Sequence, residues 1–178
     1  FNPVAAKQLL SEAGYPNGEG FPPIEILYNT NEGHRKIAVA LQEMWKNYLN
    51  IDIRLLNQEW KVYLATESAG DYQISRGGWI GDYVDPNNFL DMFLCNGGNN
   101  RTGWCNEKYD KLILDVAPSQ ASHSERLKIF QQAETLLLED MPIIPVYTYT
   151  SIKLLDPSVK NFDDNILNQA MYKDIYLQ

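Results

Sequence analysis

The residues with the clearest chemical potential lie at positions 76–85, in the order Arg-Gly-Gly-Trp-Ile-Gly-Asp-Tyr-Val-Asp. Three glycines within five residues allow another backbone to approach closely. Aromatic and ionisable side chains on a loop at the end of a strand are typical of a ligand site. On composition alone, a structural turn explains this segment equally well, so both interpretations stay open at this point.

Catalysis is the weaker interpretation of these residues. A catalytic triad needs a nucleophile, a base and an orienting acid within reach of one another. The chain has only two histidines and contains neither a GxSxG nor an HExxH pattern. Asp82 and Asp85 resemble turn residues, because glycines and Pro86 surround them. We therefore expect no enzyme and no cofactor.

The two cysteines, Cys95 and Cys105, flank a loop rich in glycine and asparagine. In an oxidising compartment two thiols placed in this way could close a disulfide. Two unpaired structural cysteines are the alternative. No CxxC pair and no Cys/His metal spacing occurs, so a metal site is not expected.

Charge and length limit the possible partners and the size of the domain. The net charge is −8, with 15 Lys and Arg against 23 Asp and Glu, which argues against binding nucleic acid. The 178 residues suit a single domain over positions 1–178. The chain starts without Met or a signal sequence, so we expect a piece of a longer protein.

Hydrophobic periodicity predicts the elements that position the candidate loop. Alternating residues at 24–30 and 51–56 indicate two strands, and helical spacing at 33–49 lies between them. Such a strand–helix–strand unit usually places its strands in parallel. A short helix near 59–68 and a strand at 71–79 follow, and that strand leads into the glycine-rich loop.

The second half of the sequence is predicted to be mainly helical. Residues 86–94 are compact, helical spacing marks 109–116, and Ser122 to Glu125 form a capping box. The helix after that box is expected to bury Leu127, Phe130, Ala133 and Leu137. Apolar and β-branched residues at 143–150 predict a strand, with 151–155 as its partner. The fold class is α/β, with a mixed β-sheet flanked by helices.

With these elements in place, the chain resembles the peptide-binding proteins of ABC importers, and within them the oligopeptide-binding type. Seven segments carry the resemblance, and they occur in the same order over nearly the whole chain. They are residues 2–10, 14–16 (Gly-Tyr-Pro), 57–61 (Asn-Gln-Glu-Trp-Lys), 76–83 (Arg-Gly-Gly-Trp-Ile-Gly-Asp-Tyr), 99–104, 109–113 and 145–149 (Pro-Val-Tyr-Thr-Tyr).

The resemblance implies the carboxy-terminal lobe of a two-lobed solute-binding protein, with a fold like that of type II periplasmic binding proteins. The implied partners are a peptide ligand, the ABC transporter permease subunits and the N-terminal lobe of the same parent chain. The implied location is periplasmic or extracellular, and attachment by lipid stays open. Another cargo of the same family (a dipeptide, a nickel complex, haem or a sugar) is the alternative, and an adhesive surface protein is a third possibility.

The resemblance also assigns roles to single residues. Asp82 falls where the family places the carboxylate that pairs with the α-ammonium of the ligand, and residues 78–82 would offer backbone to an extended peptide. The remaining candidates would line pockets or lie near the far end of the ligand. The full ligand-binding set is His34, Trp60, Arg76, Gly78, Trp79, Ile80, Gly81, Asp82 and Tyr83.

Two departures from the family pattern matter. Glu67 stands where some relatives carry an arginine, which places recognition of the carboxylate end of the peptide in question. Ile80 stands where some relatives carry a bonded cysteine, and a bond between Cys95 and Cys105 could replace that link.

Overall fold

The computed structural model describes residues 1–163, 165, 167 and 169–178. Residue contacts divide the chain into two compact units, Phe1–Gly78 and Trp79–Gln178. The prediction of one domain over residues 1–178 stays a prediction, because two compact units can belong to the same lobe. Within the described ranges, none of the helices combines the length and the apolar character that a bilayer span requires.

The first unit is built on a parallel sheet whose strand order is β2-β1-β3. The predicted strand–helix–strand unit is confirmed. The predicted strand at 71–79 is shorter in the structure. At its start, the Glu25 N–H donates to the side-chain Oε1 of Gln73 at 2.8 Å in place of a backbone bond, and after Ser75 the chain enters the glycine-rich loop. The elements are α1 (Pro3–Glu12), β1 (Ile24–Asn29), α2 (Glu32–Leu49), β2 (Ile53–Gln58), α3 (Trp60–Ala69) and β3 (Ile74–Ser75).

Helix caps and a small aliphatic core hold this unit together. Asn2 Oδ1 accepts the Ala5 N–H at 3.0 Å, as the predicted cap requires. The core forms around Ile26, Ile51 and Ile53. Gly18 has a φ of 76°, and a Cβ there would lie 2.5 Å from the backbone oxygen of Leu49. Only glycine therefore fits between α1 and β1 at this point.

The second unit packs around Tyr109, which is fully buried and donates its hydroxyl to the Leu90 carbonyl at 2.6 Å. Burial of apolar side chains from several helices supplies most of its stability. Its elements are α4 (Asn87–Leu90), α5 (Glu107–Lys111), a π-helical turn (Leu112–Val116), α6 (His123–Asp140) and the antiparallel pair β4 (Val159–Lys160) and β5 (Tyr176–Leu177). The α/β class is confirmed, and its parallel and antiparallel pairs lie in separate sheets.

Two details of the second unit differ from the sequence predictions. On α6, Phe130, Ala133 and Leu137 are buried as expected, but Leu127 is 39% exposed. The guanidinium of Arg126 covers the Phe130 ring instead, 4.4 Å from its centre. The predicted strand at 143–150 and its partner at 151–155 are wrong, since these residues form no regular secondary structure. High β-propensity gives a strand only where a neighbouring backbone completes the ladder.

Candidate ligand-binding site

In the first unit, three candidate residues follow the ends of parallel strands. His34 lies in the first turn of α2, shortly after β1 ends at Asn29, while Trp60 follows β2 and Arg76 follows β3. The carboxyl ends of parallel strands meet at one edge of a sheet, which is where ligands bind in open α/β folds. The strand order therefore gathers these candidates at one edge of this unit.

His34 and Arg76 lie next to each other at this edge. His34 Nδ1 is 2.8 Å from Asn29 Oδ1 and 3.4 Å from Arg76 Nη1. A neutral ring with its proton on Nδ1 donates to Asn29 in the shorter contact. Nδ1 then has no lone pair for Arg76, so the guanidinium affects His34 through its charge. Burial, and secondarily the charge of Arg76, lower the pKa of His34 below its ordinary value of 6.5. The ring is therefore neutral at pH 7.

This lowered pKa predicts a pH dependence of stability. Because the folded state disfavours protonated His34, the unfolded chain binds more protons below pH 6.5. The free energy of unfolding should therefore fall as the pH drops from 6.5 toward the folded-state pKa of His34. Denaturant unfolding between pH 7.5 and 5 measures this slope, and His34→Gln should reduce it.

His123, the other histidine in the sequence, provides the matched control. It is exposed at the first position of α6, so His123→Gln removes an imidazole without altering the surroundings of His34. An identical slope in the wild type and the His34→Gln variant would refute the assigned environment of His34.

A hydroxyl–carboxylate cluster lies behind Arg76. Ser75 Oγ donates to Glu67 Oε1 at 2.9 Å, and the single proton of the Tyr63 hydroxyl has two acceptors within reach, Glu67 Oε1 at 2.7 Å and the Arg76 carbonyl at 2.9 Å. Burial is the main cause that raises the pKa of Tyr63 to about 12, so this proton stays in place. Trp60 stacks on Tyr63 with ring centres 5.7 Å apart and remains 52% exposed. Glu67, which stands where some relatives carry an arginine, is thus part of an internal hydrogen-bond network.

In the second unit, the candidate loop is held by one asparagine that sequence reasoning missed. Asn88 Oδ1 accepts the Trp79 indole N–H at 2.8 Å and the Asp82 backbone N–H at 3.1 Å. Asn88 is buried, with 4% exposure. Gly81 lies so close to α4 that a Cβ at position 81 would be 3.1 Å from the ring of Phe89 in that helix. The glycine is therefore needed for close packing of the loop on α4.

The same loop exposes the side chains of Ile80, Asp82 and Tyr83 to solvent. Asp82 is exposed, and within the described part of the chain its carboxylate accepts no hydrogen bond and forms no ion pair. Ile80 is 78% exposed and Tyr83 is 44% exposed. Burial, and secondarily the negative charge of Asp82, raise the pKa of Asp91 in the adjoining segment. The arrangement suits a cationic group.

An ion pair anchors the end of this loop to α6. Arg126 donates to both carboxylate oxygens of Asp85, at 2.6 and 2.9 Å, and both side chains are about three-quarters buried. The Arg126 hydrogen bonds are the main cause that lowers the pKa of Asp85. Paired donors of this kind fix orientation as well as charge.

Removing this anchor should destabilise the protein measurably. Asp85→Ala leaves the Arg126 guanidinium partly buried without its carboxylate, and we expect a loss of about 1–2 kcal/mol in the free energy of unfolding. Urea denaturation measures the loss. Asp52→Ala is the matched control, because Asp52 pairs with Lys46 at 2.8 Å but is 81% exposed, and it should cost under ~1 kcal/mol. Equal costs for the two variants would contradict the anchoring role.

The cysteines close a local loop in the second unit. Cys95 and Cys105 form a disulfide. The Asn100 side-chain amide donates to the carbonyls of Leu94 and Trp104 at 3.0 and 2.9 Å, so the loop interior is also hydrogen-bonded. Among residues 1–163, 165, 167 and 169–178, no three His, Cys, Asp or Glu side chains form a group that could hold a metal ion.

The predicted site residues thus form two local groups. His34 and Arg76 lie together in the first unit, and Trp60 is stacked on Tyr63 three residues further along α3. Trp79, Gly81 and Asp82 surround Asn88 in the second unit. Gly78 is the last residue of the first unit and is bonded directly to Trp79. No sequence motif marks Asn88, since its role arises only when the loop folds back on α4.

Comparison with known proteins places the chain in a family. The sequence pattern described as "Bacterial extracellular solute-binding proteins, family 5 Middle" matches residues 1–101, more than half of the chain. The oligopeptide-binding protein OppA of Bacillus subtilis (strain 168) is 42% identical over 170 residues, which cover 95% of this chain and 31% of OppA. The dipeptide-binding protein DppE of the same strain is 41% identical over 160 residues, or 89% of this chain and 29% of DppE.

A solved structure agrees with the fold. The crystal structure of Haemophilus influenzae OppA in complex with RPPGFSPFR aligns with a TM-score of 0.84 at 35% identity, and it covers 98% of this chain and 34% of that one. The predicted α/β lobe of a type II periplasmic binding protein is thereby confirmed. The chain spans about a third of the length of the curated relatives it matches. It belongs to the bacterial extracellular solute-binding proteins of family 5.

Proposed function

We propose that this chain is the carboxy-terminal lobe of a solute-binding protein that takes up extended oligopeptides and delivers them to an ABC importer. The observation that carries the proposal is the exposed Asp82 carboxylate, which has no partner within the described residues and lies on a loop fixed from behind by Asn88. A fixed carboxylate that is not neutralised by its own chain suits a ligand that brings an ammonium group.

The ligand would lie along the backbone of residues 78–81, with its α-ammonium at Asp82. Main-chain pairing gives affinity without reading side chains, as when a peptide adds a strand to a sheet. The Asp82 N–H already donates to Asn88, so pairing with the ligand would end before this residue. In the second unit, the exposed Ile80 and Tyr83 would form apolar walls beside the ligand. In the first unit, the half-exposed Trp60 offers an apolar surface of its own.

Arg76, in the first unit, would serve the carboxylate end of the ligand. Arg76 carries a permanent charge beside a neutral His34, and a guanidinium suits a carboxylate or a row of carbonyl oxygens. Glu67 is engaged by Ser75 and would not contribute a positive charge there. Arg76 would then supply charge to the carboxylate end of the ligand in addition to its contacts within the chain.

The bound peptide could be an oligopeptide or a dipeptide. The names of the relatives support both oligopeptides and dipeptides, at nearly equal identities of 42% and 41%. A dipeptide cargo is therefore the main alternative, and Asp82 would bind its α-ammonium in the same way. The proposal further includes a periplasmic or extracellular location, permease subunits and an N-terminal lobe as partners, and the absence of catalysis.

Mass spectrometry of ligands that copurify with the full-length parent tests the proposal. After acid release, we expect a mixture of short peptides with free amino ends, at near-stoichiometric amounts. The same preparation from an Asp82→Asn parent should carry much less peptide. Recovery of one non-peptide small molecule from both proteins would overturn the proposal, and a single dipeptide class would favour the alternative.

A further inference from the structure

We propose that Asn88 is the positioning residue that presents the Asp82 carboxylate to the ligand. The inference rests on the proposed function, since it concerns how the ammonium acceptor is held in place. It assigns a role to a residue that lies outside the loop itself, in the short helix α4 (Asn87–Leu90).

The geometry makes Asn88 a shared acceptor for two points of the loop. Its single side-chain oxygen receives the Trp79 indole N–H at 2.8 Å and the Asp82 N–H at 3.1 Å. A carbonyl oxygen has two lone pairs, so both bonds can form at once. The two donors are three residues apart, so the two bonds tie both ends of the segment 79–82 to α4. The buried position of Asn88 shields these bonds from water.

The helix that carries Asn88, α4, is itself held against the core by its other residues. Leu90, two residues after Asn88, is buried, and its carbonyl accepts the hydroxyl of the buried Tyr109 at 2.6 Å. The Phe89 ring packs on Gly81, and the Asp85 side chain accepts the Asn87 N–H at 2.9 Å. Movement of the loop therefore requires movement of α4 against the core, and this makes the carboxylate preorganised for binding.

The chemistry of an amide also suits this place. Two carboxylates, Asp82 and Asp91, already lie in this region, and burial followed by the charge of Asp82 raises the pKa of Asp91. A further carboxylate at position 88 would accept the same two bonds but would add charge beside Asp82. A neutral acceptor satisfies both donors and leaves Asp82 as the anion that the ligand meets.

A pair of variants in the full-length parent tests this role. Asn88→Ala should weaken binding of a free-amino tripeptide about tenfold, because the carboxylate loses its fixed position. It should change binding of the N-acetylated form of the same tripeptide less than about twofold, since that form has no α-ammonium to contact Asp82. Asn99→Ala, at an exposed asparagine in the disulfide loop, should leave both affinities unchanged. In an Asp82→Asn background, Asn88→Ala should have no further effect.

Amide hydrogen exchange gives a second measurement that does not depend on a variant that folds. In the wild-type parent, the Asp82 amide should exchange at least about tenfold more slowly than that of the exposed Ile80, because Asn88 accepts its proton. An Asp82 amide that exchanges as fast as Ile80, or an Asn88→Ala variant that weakens both peptides equally, would overturn the positioning role. A wild-type parent that binds neither peptide would instead remove the proposed function.

Discussion

Replacing Asp82 by Asn in the full-length parent should weaken binding of a free-amino peptide by about 2–4 kcal/mol, which is roughly 30- to 1000-fold. The substitution keeps the size and the hydrogen-bonding shape of the side chain but removes its charge. A charge-assisted bond to an ammonium then becomes a neutral bond, and the bound ammonium loses its counter-ion. Isothermal titration calorimetry with one defined peptide measures the change.

The N-acetylated form of the same peptide separates this role from a general loss of shape. Acetylation removes the positive charge, so the Asp82→Asn variant should bind this peptide nearly as well as the wild type does. Asp115→Asn is the matched control, because Asp115 is exposed in the π-helical turn, and it should alter neither affinity. Equal losses for free and acetylated peptides would reject the assigned role of Asp82.

Loss of the bond between Cys95 and Cys105 should reduce the free energy of unfolding by about 2–3 kcal/mol, given the sequence separation of 10. The effect arises chiefly because the cross-link restricts the unfolded chain. Asn100 holds the same loop by bonds to the Leu94 and Trp104 carbonyls, so the folded loop should keep its conformation. Peptide affinity should therefore change little while stability falls.

Two preparations check this prediction against each other. A Cys95→Ser/Cys105→Ser variant and the wild type treated with a phosphine reductant should lose similar amounts of stability in guanidinium unfolding. The reductant should not change the variant further. Equal stability of the oxidised and reduced wild type would show that this cross-link does not constrain the unfolded chain.

The parts of the fold that could be predicted are those with local causes. The predicted cap at Ser122 is present, because Ser122 Oγ accepts the Glu125 N–H at 3.3 Å; the Glu125 carboxylate, at 2.7 Å, accepts the Ser122 hydroxyl rather than the backbone N–H that a full capping box uses. The parallel pairing of β1 with β2 follows from two apolar strands joined by an amphipathic helix. These features depend on residues close together in sequence, so periodicity and capping rules find them.

The parts that could not be predicted depend on which distant groups meet. Residues 143–150 have the composition of a strand but lack one in the structure, since composition does not supply the neighbouring backbone. Leu127 has the spacing of a core residue, yet Arg126 covers Phe130 in its place. Arginine can do so because its planar guanidinium packs on an aromatic face while it pairs with Asp85.

The candidate loop shows why its sequence allowed two interpretations. As a structural turn it is tightly held, with Trp79 and Asp82 both bonded to Asn88. As a ligand site it exposes the Asp82 carboxylate and the Ile80 side chain. The same glycines serve both purposes, because close packing on α4 is what fixes the exposed groups. The acceptor in α4 carries no recognisable pattern, so the sequence alone did not reveal it.

A crystal structure of the full-length parent with a bound free-amino tripeptide tests the central claim most directly. The distance to measure is the one between the peptide's α-nitrogen and the nearer carboxylate oxygen of Asp82. We expect about 2.7–2.9 Å, the range of a charge-assisted N⁺–H···O⁻ bond. An α-ammonium bound to a different acceptor, with Asp82 still facing solvent, would contradict the account.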